Sequence, residues 1–231
     1  MKNNHSSYIV TCDIDWAPDW MLEKVFDILS DFKVTYFLTN DTPVQRELSK
    51  NIDFAGYHPN LQKNSDHGDN IKEAFNYFDS FLPKLYMNRF HLFGFSERDL
   101  KFLSDRKIKL DASSIYPNHA NISKIFRKDL NMTFLPNFWM DGVWYFNKKL
   151  PKQNVKGLKC LVVHPIDLYF NFKTNEERER IKNLLPSVSL LTKEISKKFI
   201  NYDGNGSRDA FLELLSKSTN DIIPLHSILE V

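Results

Sequence analysis

The sequence predicts an α/β protein whose parallel strands form an incomplete (β/α)7-type barrel. Short apolar runs of strand length alternate with helical segments along the 231 residues, which is typical of a parallel sheet covered by helices. About seven such runs occur, and that number suits a barrel better than a flat sheet. The composition, 42% hydrophobic and 26% charged, is that of a globular protein with a sizeable core. We expect a single domain over residues 1–231, with extra helices in the C-terminal third.

The first βαβ unit is the clearest part of this pattern. An apolar run at 8–15 precedes a segment at 19–32 whose apolar residues recur every three or four positions, as on one face of a helix. A second apolar run at 34–38 completes the unit. The same alternation predicts further strands at 54–57, 85–90, 109–113, 132–139 and 158–163. It predicts further helices at 43–50, 71–82, 97–105, 176–185, 190–199 and 208–216.

Charge and apolar-run length exclude several classes of function. The 31 basic and 29 acidic residues leave a net charge of +2, which argues against binding to nucleic acid through bulk charge. The longest apolar runs are too short for a membrane span, and the N-terminus lacks the apolar core of a signal peptide. Cys12 and Cys160 lie in apolar runs and are expected to be free, buried thiols. We therefore expect a cytoplasmic protein without a nucleic-acid partner or a membrane span.

Polar side chains follow nearly every predicted strand. The carboxyl ends of parallel strands meet at one face of an α/β fold, and ligands bind there. The strand ends supply Asp13 and Asp15, Thr39 to Asp41, His58 and Asn60, Arg89 and His91, Asp111 and Ser113, Trp139 and Asp141, and His164 and Asp167. This convergence predicts a catalytic or binding site at that face.

The residue types at these strand ends suit a metal site. Asp13 and Asp15 are two apart and point to the same side of a strand, where two carboxylates repel unless a cation or a proton lies between them. One aspartate and two histidines form an open three-ligand site of the kind that activates water. The third of His58, His91 and His164 is then free to act as an acid or a base. Arg89 is placed to form a salt bridge with Asp13 and hold it ionised.

In their order along the chain, these residues resemble the polysaccharide deacetylase family, which has the NodB-homology fold of carbohydrate esterases. The segment 11–15 (TCDID) is similar to the first motif of that family, Thr-Phe-Asp-Asp, with Ile14 inserted. Five strings are closer to deacetylase-like proteins of bacterial surface-polysaccharide biosynthesis: 13–19 (DIDWAPD), 58–61 (HPNL), 89–91 (RFH), 138–141 (FWMD) and 163–166 (VHPI). The resemblance spans roughly residues 8–170.

The resemblance implies hydrolysis of an N-acyl group, such as acetyl, on an amino sugar. Asp13 would be the general base, oriented by Arg89, and His164 the general acid. Asp15 and His58 would bind one divalent metal ion, expected to be zinc. The second motif of the family, His-x-x-x-His, is interrupted because Gln62 stands four residues after His58. The third ligand would then be His91, with His67 as the alternative.

Four residues are expected to bind the substrate: Trp16, Asn60, Trp139 and Asp141. Trp139, together with Trp144 and Tyr145, offers aromatic faces that suit a sugar ring, and core packing is the alternative for all three. Since the chain shows no export signal, we expect an N-acylated amino sugar that is linked to a nucleotide or a lipid. The sequence does not indicate an oligomeric state.

Two other functions are compatible with parts of the pattern. A phosphatase of the haloacid-dehalogenase type also uses an Asp-x-Asp pair after its first strand, here Asp13 and Asp15, and a Thr or Ser after its second, here Thr39. It leaves the three strand-end histidines without a role. A deacetylase-like protein that lost its second motif would instead bind a glycan or a partner without catalysis.

Overall fold

The computed structural model describes residues 7–117, 119, 121–151, 156–184, 186–216 and 221–229. Its strands are β1 (Ser7–Asp13), β2 (Val34–Leu38), β3 (Ala55–Tyr57), β4 (Met87–Asn88), β5 (Leu110–Asp111), β6 (Ile125–Arg127), β7 (Met132–Phe134), β8 (Asn137–Met140), β9 (Leu158–Val163) and β10 (Asp221–Ile222). Its α-helices are α1 (Asp19–Leu29), α2 (Pro43–Ser49), α3 (Ile71–Asp79), α4 (Glu97–Asp105), α5 (Asp141–Asn147), α6 (Pro165–Phe170), α7 (Asn175–Lys182), α8 (Lys193–Lys197) and α9 (Ser207–Ser216).

The strands form one curled, mostly parallel sheet in the order β6-β7-β5-β4-β3-β2-β1-β9-β8, with β10 beside β1. Among the strand pairs within the described residues, only β6–β7 is antiparallel. A parallel bridge between Ile115, just after β5, and Asn137 of β8 brings distant parts of the sheet together. This arrangement confirms the predicted α/β class and the incomplete barrel.

The predicted strand over 132–139 is two strands. It breaks at Leu135 and Pro136, and β7 pairs with β5 whereas β8 pairs with β9. Proline has no backbone N–H for a ladder hydrogen bond, so the break falls where the sequence provides it. Asn137 thereby becomes the first residue of a new strand.

Side-chain alternation in β1 decides which residues enter the barrel. Ile9 belongs to an inner apolar cluster with Phe37 and Leu225, whereas Val10 and Cys12 pack in the larger core under the helices. Side chains of a strand alternate between the two faces of a sheet, so Thr11 and Asp13 follow Ile9 into the interior. The 3-10 helix Leu225–Leu229 contributes Leu225 and Ile228 to the inner cluster. Thr11 and Asp13 therefore lie inside the barrel, nearer to the carboxyl end of β1 than the apolar Ile9.

No helix among the described residues is long and apolar enough to cross a lipid bilayer.

Candidate active site

Arg89 is the polar centre of the barrel interior and is completely buried. Its Nη1 donates to Asp13 Oδ1 at 2.7 Å and to Thr11 Oγ1 at 2.8 Å. Its Nη2 donates to Asn137 Oδ1 at 2.8 Å, and its Nε to the carbonyl of Ala112 at 3.0 Å. These four bonds fix the guanidinium plane, which is the favourable way to bury an arginine. They also engage Asp13 Oδ1.

The ring of Phe37 supports the same guanidinium. The Arg89 Cζ atom lies 4.3 Å from the centre of this ring. Gly56 of the neighbouring strand leaves the space for the ring, since a Cβ atom at residue 56 would be 2.6 Å from a Phe37 ring carbon. An aromatic face attracts a cation and adds to the fixed geometry of Arg89.

Next to Asp13, three acceptor atoms face one another. His58 Nε2 and His91 Nδ1 each lie 3.2 Å from Asp15 Oδ1, and they lie 3.4 Å from each other. The other ring nitrogen of His58, Nδ1, is 2.8 Å from the carbonyl oxygen of Arg89. A carbonyl only accepts, so Nδ1 carries the proton and Nε2 of the neutral ring points its lone pair at Asp15. Such a meeting of acceptors requires a cation or a proton between them.

The spacing of these atoms fits a divalent metal ion. Ligand atoms that bind a tetrahedral ion at about 2.0–2.1 Å lie roughly 3.3–3.4 Å apart, which is close to the spacing of the Asp15, His58 and His91 atoms. A histidine ligand that donates its second N–H to a backbone carbonyl is also the usual arrangement at a metal site. Burial alone would raise the pKa of Asp15, but the charge of His164 and the close His58 and His91 rings hold this pKa well below its ordinary value. Asp15 is therefore an ionised carboxylate, the form in which it is able to bind a metal ion.

The two turns that carry the Asp15 and His91 side chains have unusual backbones. Asp15 and Trp16 have φ angles of 45° and 58°, and the two residues after His91, Leu92 and Phe93, have 52° and 57°. Non-glycine residues in this region are strained, and such strain concentrates at functional sites. The edge of the His91 ring meets the Trp16 ring with centroids 5.0 Å apart, so the two turns brace each other.

His67, the alternative third ligand, is outside this cluster. Its Nδ1 accepts from the backbone N–H of Asn60 at 3.0 Å, and its Nε2 is 2.9 Å from the carbonyl oxygen of Thr39, to which it donates. Its ring stacks between Trp16 and Tyr77. Burial lowers the pKa of His67 to about 4, so the ring is neutral. Both of its nitrogens are occupied, and the ring acts as a structural support.

On the other side of the cluster, Asp141 holds His164. Its Oδ1 lies 2.7 Å from His164 Nδ1, and its Oδ2 accepts from the His164 backbone N–H at 2.6 Å. Nε2 of His164 is consequently directed to the cluster, 3.6 Å from Asp15 Oδ2. Burial would lower the pKa of His164, but the charges of Asp141 and Asp15 outweigh it and raise this pKa to about 10. The ring is therefore a protonated imidazolium in this arrangement.

Behind this pair lies Asp167, which is completely buried. It accepts hydrogen bonds from the hydroxyl of Tyr145 and from Arg178 Nε, the latter at 3.0 Å. Burial raises the pKa of Asp167. The Asp141, His164 and Asp167 group is thus rich in donors, which distinguishes it from the acceptor cluster of Asp15, His58 and His91.

A cavity of about 510 Å³ opens over Asp15, His58 and His91 and over His164 of the second group. Asp13, Asp15, His58, His91 and His164 form its polar end. Its walls come from the turn after His91, from β8 and α5, and from α7. The structure thus brings all three metal-ligand candidates, Asp13 and His164 into one space.

The residues expected to bind substrate lie differently. Trp139 has 1% of its surface exposed and stacks on Phe211 in the core, so its ring is not available to a sugar. Trp144 and Tyr145 are also buried, in line with the core-packing alternative. Aromatic rings are buried because of the hydrophobic effect. Composition alone does not indicate which aromatic rings lie in the core and which line a site.

Asn60 and Asp141 serve the protein's own groups. Asn60 Oδ1 accepts from the backbone N–H of Gln62, which shapes the loop after β3. Both oxygens of Asp141 are engaged by His164, so Asp141 orients a catalytic candidate and has no free oxygen for substrate. Trp16 is half-buried, and its Nε1 donates to Asp66 at 2.7 Å beside His91.

Several contributors were not predicted as site residues. Asn137 follows the strand break at Pro136, and that proline was the available signal for its position. Arg178 comes from α7, which the pattern predicted only as an extra helix. The helices α5 and α6 were not predicted, although Pro165 directly after His164 is a typical first residue of a helix.

The comparisons with known proteins agree with this architecture. The family model described as WbmS-like polysaccharide deacetylase matches residues 10–182. The crystal structure of a proposed polysaccharide deacetylase of O-antigen biosynthesis (WbmS) from Bordetella bronchiseptica superposes with a TM-score of 0.76. It is 22% identical in sequence, and the match covers 91% of this chain and 90% of the other. No curated protein matches the chain.

The family match covers three quarters of the chain and includes every residue of both Asp/His groups. It selects the deacetylase reading over the haloacid-dehalogenase alternative, in which the three histidines have no role. The chain therefore belongs to the WbmS-like polysaccharide deacetylase family.

Proposed function

We propose that the protein is a metal-dependent hydrolase that removes an N-acyl group, such as acetyl, from an amino sugar. The observation that carries this proposal is the meeting of three acceptor atoms, from Asp15, His58 and His91, at 3.2–3.4 Å. Asp13, held by Arg89, lies on one side of them, and His164, held by Asp141, on the other. A base, a cation site and an acid in this order are the parts that amide hydrolysis requires.

Asp15, His58 and His91 would hold one divalent ion, which we take to be zinc. When bound, this ion would polarise the amide carbonyl and make a water molecule more acidic. The remaining chemistry belongs to the residues of the chain.

Asp13 is placed to act as the general base. Its Oδ1 is bonded to Arg89, and its Oδ2 lies 3.9 Å from His58 Nε2, next to the cluster. The guanidinium engages Oδ1, so Oδ2 is left to take a proton from the attacking water. Arg89 contacts neither the water nor the cluster and is a positioning residue.

His164 is placed to act as the general acid. Asp141 occupies its Nδ1, so the proton available to the substrate is on Nε2, which faces the cluster. Breaking the C–N bond of an amide leaves an amine, which needs a proton to depart. The raised pKa of His164 keeps that proton in place at neutral pH.

The substrate we propose is an intermediate of surface-glycan biosynthesis inside the cytoplasm. The Bordetella protein is associated with O-antigen biosynthesis, and its fold is shared by this chain. An amino sugar linked to a nucleotide or a lipid suits such a pathway. Trp16, half-buried beside His91, would contact the sugar near the acyl group.

The test is acetate release from N-acetyl amino sugars by the zinc-loaded protein and by Asp13→Asn. Asparagine keeps the shape of the side chain but accepts no proton, so we expect activity to fall by at least about 10²-fold with metal content unchanged. Equal activity in the variant would refute the role of Asp13. The non-catalytic alternative would be favoured if the wild-type protein binds glycans, does not bind zinc and does not release acetate.

A further inference from the structure

The cavity has two chemically different walls above the Asp/His groups. One wall is the face of α7 that carries Asn175, Arg178 and Lys182. These residues are three and four apart, so they share one side of the helix. Three of the eight residues of α7 are glutamates, at 176, 177 and 179, and none of them lines the cavity. The helix thus turns its cationic side to the cavity and its acidic side away from it.

Within this wall, Arg178 and Lys182 differ in what neutralises them. Arg178 Nε donates to the buried Asp167, and its Nη1 lies 3.5 Å from Glu179. Lys182 is half-buried and forms no ion pair with any residue that the structure describes. An ammonium group in a partly enclosed space without a carboxylate gains strongly from an anionic ligand.

A second wall is apolar. Met140, Val143 and Phe146 come from the end of β8 and from α5, and Leu92 from the turn after His91. Phe146 is 81% exposed and Leu92 is 63% exposed. Large apolar side chains exposed together at the mouth of a cavity are typical of a binding surface. This mouth suits a flat or aliphatic group that is covalently attached to an anionic group bound by Lys182.

We propose that Asn175, Arg178 and Lys182 bind the phosphate of a sugar whose anomeric carbon is esterified to a diphosphate. This inference rests on the proposed function, which places the acyl amide at the cluster. In a 2-acylamino sugar, C2 bears the amide nitrogen and is bonded to the anomeric carbon C1, so a phosphate on C1 lies close to the acyl group and within the reach of the same cavity. The apolar mouth then receives the group beyond the diphosphate, which is a nucleoside or an isoprenoid chain.

The experiment is equilibrium binding by calorimetry, with zinc-loaded protein and two probes, uridine diphosphate and farnesyl diphosphate. Four proteins are compared: wild type, Lys182→Ala, Lys182→Arg and Lys193→Ala. Lys193 is an exposed lysine of α8 outside the cavity, so its loss changes the net charge equally. We expect at least one probe to bind, with a Kd raised about tenfold or more in Lys182→Ala. Lys182→Arg and Lys193→Ala should stay within about threefold of wild type.

Several results would overturn the phosphate site. Absence of binding by both probes would do so, and so would equal affinity in Lys182→Ala and wild type, because the probe would then bind the zinc alone. The probe with the lower Kd identifies the source of the diphosphate. Because binding needs no turnover, the expected pattern together with no acetate release would leave the phosphate site standing and refute the proposed hydrolase.

Discussion

The two Asp/His groups of the cavity have similar composition and opposite hydrogen-bond chemistry. In the group of Asp15, His58 and His91, acceptors point at acceptors. In the group of Asp141, His164 and Asp167, each carboxylate receives hydrogen bonds from donors of the chain. Ligand atoms within 4.8 Å of one another occur in both groups, so proximity alone would rate them equally as metal sites.

The difference teaches that two histidines of one site differ in the partner of their Nδ1 atom, and the roles that we propose for them rest on this difference. His58 donates a hydrogen bond from Nδ1 to a backbone carbonyl and presents the lone pair of Nε2 to the cluster. His164 donates a hydrogen bond from Nδ1 to the carboxylate of Asp141, whose negative charge favours a second proton on Nε2. We therefore expect metal in the first group only.

The largest effect should be on metal content. His58→Ala removes a proposed ligand, and we expect wild type to contain about one equivalent of zinc and the purified variant to lack it. Asp141→Asn, the matched change in the other group, should keep it. Elemental analysis of the three proteins measures this. Zinc lost from Asp141→Asn and kept by His58→Ala would reverse the assignment.

Next in size is the effect of Asp141→Asn on folding and rate. The substitution removes the charge that supports the His164 imidazolium, and breaking a buried charge pair costs about 3–5 kcal/mol. Activity should fall by about 10²-fold or more because the acid loses its orientation. Denaturant unfolding and acetate release check both effects. A variant as stable as wild type would show that the pair is not charged.

A smaller effect should appear when zinc is added to the metal-free protein. Binding to the native state alone raises the free energy of unfolding by about 2.7 kcal/mol when free zinc is 100 times the Kd. We expect this rise for wild type and none for His58→Ala. Thermal unfolding with and without zinc gives the comparison, and an equal rise in both proteins would place the metal elsewhere.

The smallest effect concerns His67, which supports the first group from behind. Its pKa is about 4 in the folded protein, below the value near 6.5 of an unfolded chain. The unfolded state therefore binds more protons between these values, so stability is lost as pH falls from about 6.5 toward 4. We expect about 2 kcal/mol to disappear between pH 6.5 and 5. His67→Gln should lack this portion in parallel denaturant titrations, and identical pH curves would contradict it.

Much of the site followed from one rule applied to the sequence, that strand ends in an α/β fold share a face. It predicts that Asp13, Asp15, His58, His91 and His164 lie together at one face of the sheet. The rule reports the position of a residue along its strand and nothing about the partners of its side chain. For that reason the rule also predicts a substrate-binding role for Trp139, which lies at a strand end like the others. The ring of Trp139 instead packs in the core.

The choice between His67 and His91 shows the same limit. His67 lies in the loop after β3 and His91 follows β4, at nine and thirty-three residues after His58. Only the folded chain shows that both ring nitrogens of His67 form hydrogen bonds with the backbone. His91, which precedes a strained turn, has its Nδ1 in the cluster. Sequence spacing carries no information on which of two histidine rings has both nitrogens in hydrogen bonds with the backbone.

By itself the sequence determined the α/β class, the order of the strands along the chain and the polar residues at their ends, because periodicity and turn chemistry are local. The tertiary structure alone decided how those ends pair. It set β8 beside β9, placed Asn137 on Arg89, and turned the cationic side of α7 to the cavity. These outcomes depend on contacts between residues far apart in the chain, and the free energies of burial and hydrogen bonding that select them have no local signature.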